Sequence, residues 1–157
     1  MDFFGALIDW HVFLTYAGKV LLAYLLALPI GWEREKVQHS VGLRTFPLVA
    51  MASCGYVLLA DSMAGGSPSD RSRIIQGLTT GIGFIGGGAI MRSRGNVHGT
   101  ATAASIWNTG VIGAAIAQGR VEIAIVLSLL NLITLHLLGP KKERGTLVKP
   151  RGTQADQ

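Results

Sequence analysis

Residues 74–91, IIQGLTTGIGFIGGGAIM, run for eighteen positions without a charge and include six glycines. As an α-helix such a stretch reaches about 27 Å, enough to cross the hydrocarbon of a bilayer. In a helix interior Gly77, Gly81, Gly83, Gly86, Gly87 and Gly88 would each cost about 1 kcal/mol against alanine. In lipid the expected offset is close backbone approach to another helix, which small residues permit. The stretch therefore predicts a buried, packing-critical transmembrane helix rather than a lipid-facing anchor.

The rest of the chain agrees with a membrane protein. Of its 157 residues 49% are hydrophobic, 15% are charged and 21 are glycine, whereas soluble domains carry about 25% charged residues and about 7% glycine. One domain is expected at this length. The net charge of +5 does not point to nucleic acid, because the basic residues fall in short loops and a tail between apolar runs. The single cysteine, Cys54, excludes an intrachain disulfide. The first residues, MDFFGALIDWHVF, have neither the basic start nor the cleavage site of a signal peptide.

Four further apolar runs accompany the glycine-rich one, giving five expected spans at 12–30, 45–60, 74–91, 100–117 and 121–138. Pro47 fits the first turn of the second. Ser67, Pro68 and Asp70 form the capping signature of the third. Gln118-Gly119-Arg120 is a tight turn between the last two, and 139–157 is a polar, basic tail expected to be disordered. The fold class expected is an all-α polytopic bundle. Ten Lys and Arg lie in the 32–44 loop, the loop after span three and the tail, against three on the other side. That bias places the N-terminus outside and the C-terminus in the cytoplasm of a bacterial inner membrane. Span four is only mildly hydrophobic. Its Ala101, Ser105, Thr109, Gly113 and Ala117 recur every four residues as a ridge of small side chains. Thr79, Gly83 and Gly87 of span three repeat at the same interval, so the two ridges are expected either to pack on each other or to divide between this chain and a second protomer.

Three runs together resemble the bacterial MgtC/SapB family: Gly31-Trp32-Glu33-Arg34-Glu35; Val41-Gly42-Leu43-Arg44-Thr45; and Gly81-Ile82-Gly83-Phe84-Ile85-Gly86-Gly87-Gly88 followed by Thr102-Ala103-Ala104-Ser105-Ile106-Trp107. The resemblance covers residues 12–138. It implies an integral inner-membrane protein, in a family associated with growth at low magnesium and with intracellular survival through regulation of other membrane machinery. MgtC-type members also have a soluble C-terminal domain. The nineteen residues after Leu138 are too few to form one, which points to the short SapB-like branch.

The polar residues admit a structural and a functional role each. Glu33, Arg34, Glu35 and Arg44 make either a solvated helix end or a semi-buried network in which Arg44 bridges a carboxylate. Asp70 and Arg73, three apart, can pair at the outer start of span three. Lys19, within span one, either snorkels toward Asp9 or serves a polar interior. Asn108 is read as helix glue ahead of a solute ligand. The expected packing residues are Gly77, Gly81, Gly83, Gly87, Ser105, Thr109 and Gly113. Eight of the nine acids lie outside the spans and Glu122 sits at the first turn of span five, so none is expected at membrane depth, which disfavours a carrier for a divalent cation, since such a carrier needs carboxylates there. Glu33 and Glu35 diverge by about 200° around a helix and would not share an ion. No G-x-S-x-G occurs and no histidine base faces a serine, so no enzyme, metal or cofactor is expected. The expectation is a regulator acting through protein contacts, homo-oligomeric and most simply dimeric, embedded in lipid and in contact with another inner-membrane protein. A small-solute channel is the alternative.

Overall fold

The computed structural model describes residues 9–36, 42–63, 68–93 and 96–138, with the backbone alone at 92, 93 and 96. It contains α1 (Trp10–Glu35), α2 (Thr45–Met63), α3 (Pro68–Gly88), a hairpin of β1 (Met91–Ser93) and β2 (Asn96–His98), α4 (Thr100–Ala117) and α5 (Val121–Leu138). The tail 139–157 and the capping Ser67 lie outside the described residues. Among the described residues three helices, α1, α2 and α5, are long and apolar enough to cross a membrane.

The all-α expectation holds apart from the hairpin, whose antiparallel register pairs Met91 with His98 and Ser93 with Asn96. It turns the chain so that α4 runs back along α3. Gly99, which leads into α4, has φ +86° and lies so close to the Ala89 carbonyl that a Cβ would collide with it. Both features restrict the position to glycine.

Helix α1 runs on beyond the expected end of span one, through Pro29 to Glu35. Proline removes one helix hydrogen bond and crowds the preceding turn. The carbonyl left without its partner is that of Leu25, and at the next carbonyl along, Leu26, the Ser128 hydroxyl of α5 donates at 2.7 Å, tying α1 to α5 beside the proline. At its start Asp9 caps the helix, accepting from the His11 and Val12 amides at 2.9 and 3.3 Å.

The core forms around α4, which touches all four other helices and buries ten of its eighteen residues, among them Ile106, Ile112 and Ile116. Its neighbours supply Ala23, Ala27 and Ile30 from α1 and Phe46, Ala50, Cys54 and Val57 from α2. Its closest partner is α2: a Cβ on Gly113 would collide with the Ala50 carbonyl. The small-residue ridge of α4 thus meets α2 at Gly113 and, through Ser105, α5, but not α3.

Helix α3 is the reverse, burying only Ile82 and Gly86 of its twenty-one residues. It meets α4 through Gly86, where a Cβ would lie 3.2 Å from the Ala103 carbonyl, and through Ile82, whose side chain fills the space beside Gly110. A Cβ added at Gly77, Gly81, Gly83, Gly87 or Gly88 would meet no atom of a neighbouring element within 4 Å. The expectation of a helix buried by its glycines is therefore corrected within the protomer: one glycine of the six makes close contact. The reason is that α2 and α5 already occupy the small-residue ridge of α4.

Candidate functional site

The sequence-predicted polar residues fall in three places rather than one network. The first is the end of the bundle where α1 stops and α2 begins. Gly31 packs against the approaching chain so closely that a Cβ would lie 3.2 Å from both the Gly42 carbonyl oxygen and Leu43 Cα, and a Cβ on Gly42 would collide with Glu35. Those contacts let the Glu35 carboxylate accept the Leu43 amide at 3.2 Å. The Gly42 carbonyl in turn accepts the Thr45 amide at 3.1 Å and so opens α2.

Glu33 points elsewhere, pairing with Lys36 at 2.9 Å and lying 3.2 Å from Nδ1 of His136 on α5. Between these two carboxylates Arg34 is turned inward and is only 6% exposed. Its Nε is enclosed and, among the described residues, without a hydrogen-bond partner. Arg44, expected to be the bridging arginine, is exposed and makes no ion pair among the described residues. The buried arginine of this end is Arg34.

The second place is the opposite end, where α2 stops and α3 starts. The expected Asp70–Arg73 pair does not form; both are exposed, and the ion pair there joins Arg71 to Asp61 at 2.9 Å. An acid from α2 thus supplies the partner that a guanidinium near a helix N-terminus requires. For Lys19 the first of its two expected roles, reaching toward Asp9, is not met. Its ammonium donates to the Ala117 carbonyl at 2.7 Å rather than reaching Asp9, which is engaged in capping. A cation at the C-terminus of α4 satisfies a carbonyl that the helix leaves unpaired.

The third place is a polar layer midway along α4 and α5. Ser105 donates to Asn131 Oδ1 at 2.9 Å, and Asn108 Nδ2 donates to the Leu127 carbonyl at 3.3 Å. Thr109 donates back to Ser105 within its own helix. These bonds join α4 to α5 and not to α3, which excludes the first of the two arrangements expected for the ridges, their packing on each other. Sequence reasoning missed Asn131 and His136. An amide in the middle of the strongly hydrophobic helix 121–138 was the available signal for Asn131, since such groups in a membrane helix need a partner. Nothing in the sequence announced His136.

An apolar groove of about 780 Å³ separates α2 from α3, lined by Leu48, Ala52 and Tyr56 on one side and Gly77, Gly81 and Ile85 on the other. Among the described residues no three His, Cys, Asp or Glu side chains gather as a metal site.

Residues 20–144 match the MgtC family as a whole. The chain belongs to the MgtC family. It is 34% identical to Protein SrpB of Synechococcus elongatus, over 81% of this chain and 75% of the relative. It is 36% identical to Protein MgtC of Salmonella typhimurium LT2, over 82% of this chain and 54% of the relative. It is 35% identical to "Putative magnesium transporter YhiD" of Escherichia coli K12, over 76% of this chain and 58% of the relative. The chain thus spans little more than half the length of the last two. No solved structure matches it. Together with the three membrane-type helices, family membership makes this a membrane protein. The runs that resemble the MgtC family occupy two places: GWERE and GLRT meet at the α1–α2 end, and the glycine run faces the start of α4 through Gly86 and Ala103.

Proposed function

We propose that this protein is a five-span inner-membrane regulator, N-terminus outside and C-terminus cytoplasmic, that acts through contacts within the membrane under magnesium limitation or related stress. It is assigned a homo-oligomeric state, most simply a dimer, and contact with another inner-membrane protein; no catalysis, cofactor or nucleic acid is assigned. The observation that carries the proposal is the open face of α3. A helix with five glycines facing empty space, beside an apolar groove, is built for a further helix to approach. Phe84, 85% exposed on that face, is suited to marking it. A photo-crosslinker at Phe84 in native membranes is expected to capture a protein partner, and Gly83→Leu or Gly87→Leu is expected to abolish the capture while the protomer stays folded. Capture unaffected by both substitutions would defeat the proposal.

A second reading is transport, favoured by the name of YhiD and by the polar layer of Ser105, Asn108 and Asn131. Against a magnesium carrier stand the carboxylates, which are engaged at helix ends: Glu33 with Lys36, Asp61 with Arg71, Asp9 in a cap. Purified protein in liposomes decides between them. Magnesium or small-solute flux abolished by Asn108→Leu would establish transport.

A further inference from the structure

Arg34 is a charged group in a place that normally demands a counter-charge. Its side chain is 6% exposed, and among the described residues no carboxylate lies within ion-pair distance of it. Of the two acids beside it in sequence, Glu33 is near enough to attract its charge, but neither makes an ion pair with it. Glu33 is held by Lys36 and His136, and Glu35 by the Leu43 amide. Neighbours at i±1 point about 100° around a helix, so neither can turn back without giving up its partner. Arginine does not shed its proton, and a buried charge without a partner is strongly destabilising. The Nε of Arg34 has no acceptor among the described residues.

The depth of the residue says what the missing partner is. Trp10 and Trp32 are 60% and 61% exposed, one near each end of α1. Twenty-two residues of helix separate them by about 33 Å, close to the thickness of a hydrocarbon core, and exposed tryptophan is typical of its two boundaries. Arg34, two residues beyond Trp32, then lies about 3 Å outside the hydrocarbon, in the headgroup layer. Lys36 and Arg44, both exposed at the same end, add positive charge that favours an anion.

We propose that Arg34 holds a phosphate-class oxyanion at the α1–α2 end of the bundle, either the phosphodiester of an anionic lipid or free phosphate. The planar guanidinium can grip two phosphate oxygens at once. Glu35, Gly31 and Gly42 have the positioning part: they hold the α2 start against α1 and keep both carboxylates out of the way. The assignment does not depend on whether the protein regulates or transports.

Full-length protein in detergent, analysed by native mass spectrometry with phosphatidylglycerol or phosphatidylcholine added, reads the lipid arm. Thermal unfolding in lipid-free micelles, with inorganic phosphate as the probe, reads the soluble arm. Wild type is expected to retain phosphatidylglycerol over phosphatidylcholine, or to be stabilised by phosphate, and the arm that responds names the source. Arg34→Met is expected to weaken that response by about tenfold or more, the size of a charge-assisted bond, whereas Arg44→Gln leaves it within about threefold. Should Arg34→Met fail to fold, Arg34→Lys carries the test, because it keeps the charge and loses the two-pronged grip; several-fold weaker binding is expected. Equal binding by wild type and either Arg34 variant overturns the assignment. So does a wild type that answers to neither probe, which would leave a protein carboxylate as the counter-charge.

Discussion

Helices α3 and α4 have similar small-residue patterns and opposite surroundings. In α4 the small residues are occupied: Gly113 lies against the Ala50 carbonyl and Gly110 against Ile82. In α3 only Gly86 is, against Ala103. A glycine or alanine repeat in a membrane helix therefore marks a surface capable of close approach, and the chain's other helices decide whether that capacity is used inside the protomer. Helix α4 is ringed by four neighbours, while α3 lies at the edge of the bundle, mainly on α2 and α4.

The comparison breaks most readily at Gly113. A methyl group there meets backbone, which cannot swing aside. Gly113→Ala is expected to destabilise by about 1–3 kcal/mol despite the better helix propensity of alanine, read as a lower midpoint of thermal unfolding in detergent. Stability equal to wild type would mean that α2 and α4 are less closely apposed. Gly110→Ala meets only the flexible end of Ile82. A net loss of about 1 kcal/mol is expected, recovered when Ile82→Val is added in the same chain. On α3 the sign reverses: Gly83→Ala fills open space and should stabilise the isolated protomer by up to about 1 kcal/mol. A clear loss there would place a neighbour against α3 already in the protomer. The smallest effect belongs to the partly exposed Arg71–Asp61 pair, 48% and 32% exposed. Asp61→Asn should cost about 0–1 kcal/mol and less still at high salt.

Periodicity made the helices legible. Expected spans at 100–117 and 121–138 coincide with α4 and α5, and the others overlap α1, α2 and α3. Local signals also placed Pro68 at the start of α3. What sequence could not give was the choice of partner. Ser105 and Asn108 were recognisable as bonding groups, but that they reach Asn131 and the Leu127 carbonyl on α5 depends on how four helices divide the faces of α4. The same limit applies at the charged end. Among Glu33, Arg34, Glu35 and Arg44 the pattern cannot say which arginine turns inward. That follows from α1 remaining helical past Pro29, which sets Arg34 on the face shared with Ala27 and Ile30.

The modest apolarity of α4 has a bearing on how the protein is made. A helix carrying Thr102, Ser105, Asn108 and Thr109 gains little by leaving the translocation machinery for lipid on its own, because hydroxyl and amide groups resist hydrocarbon. By the time it emerges from the ribosome, α1 and α2 have been synthesised, and their inner faces, Ala23, Ala27, Ala50 and Ser53, offer it protein in place of lipid. Helix α5 then closes over the remaining polar side through Asn131 and the Leu127 carbonyl. Order is therefore expected to matter in making this bundle: with α1 and α2 already synthesised as a template, the polar centre meets protein before its own cover has been translated.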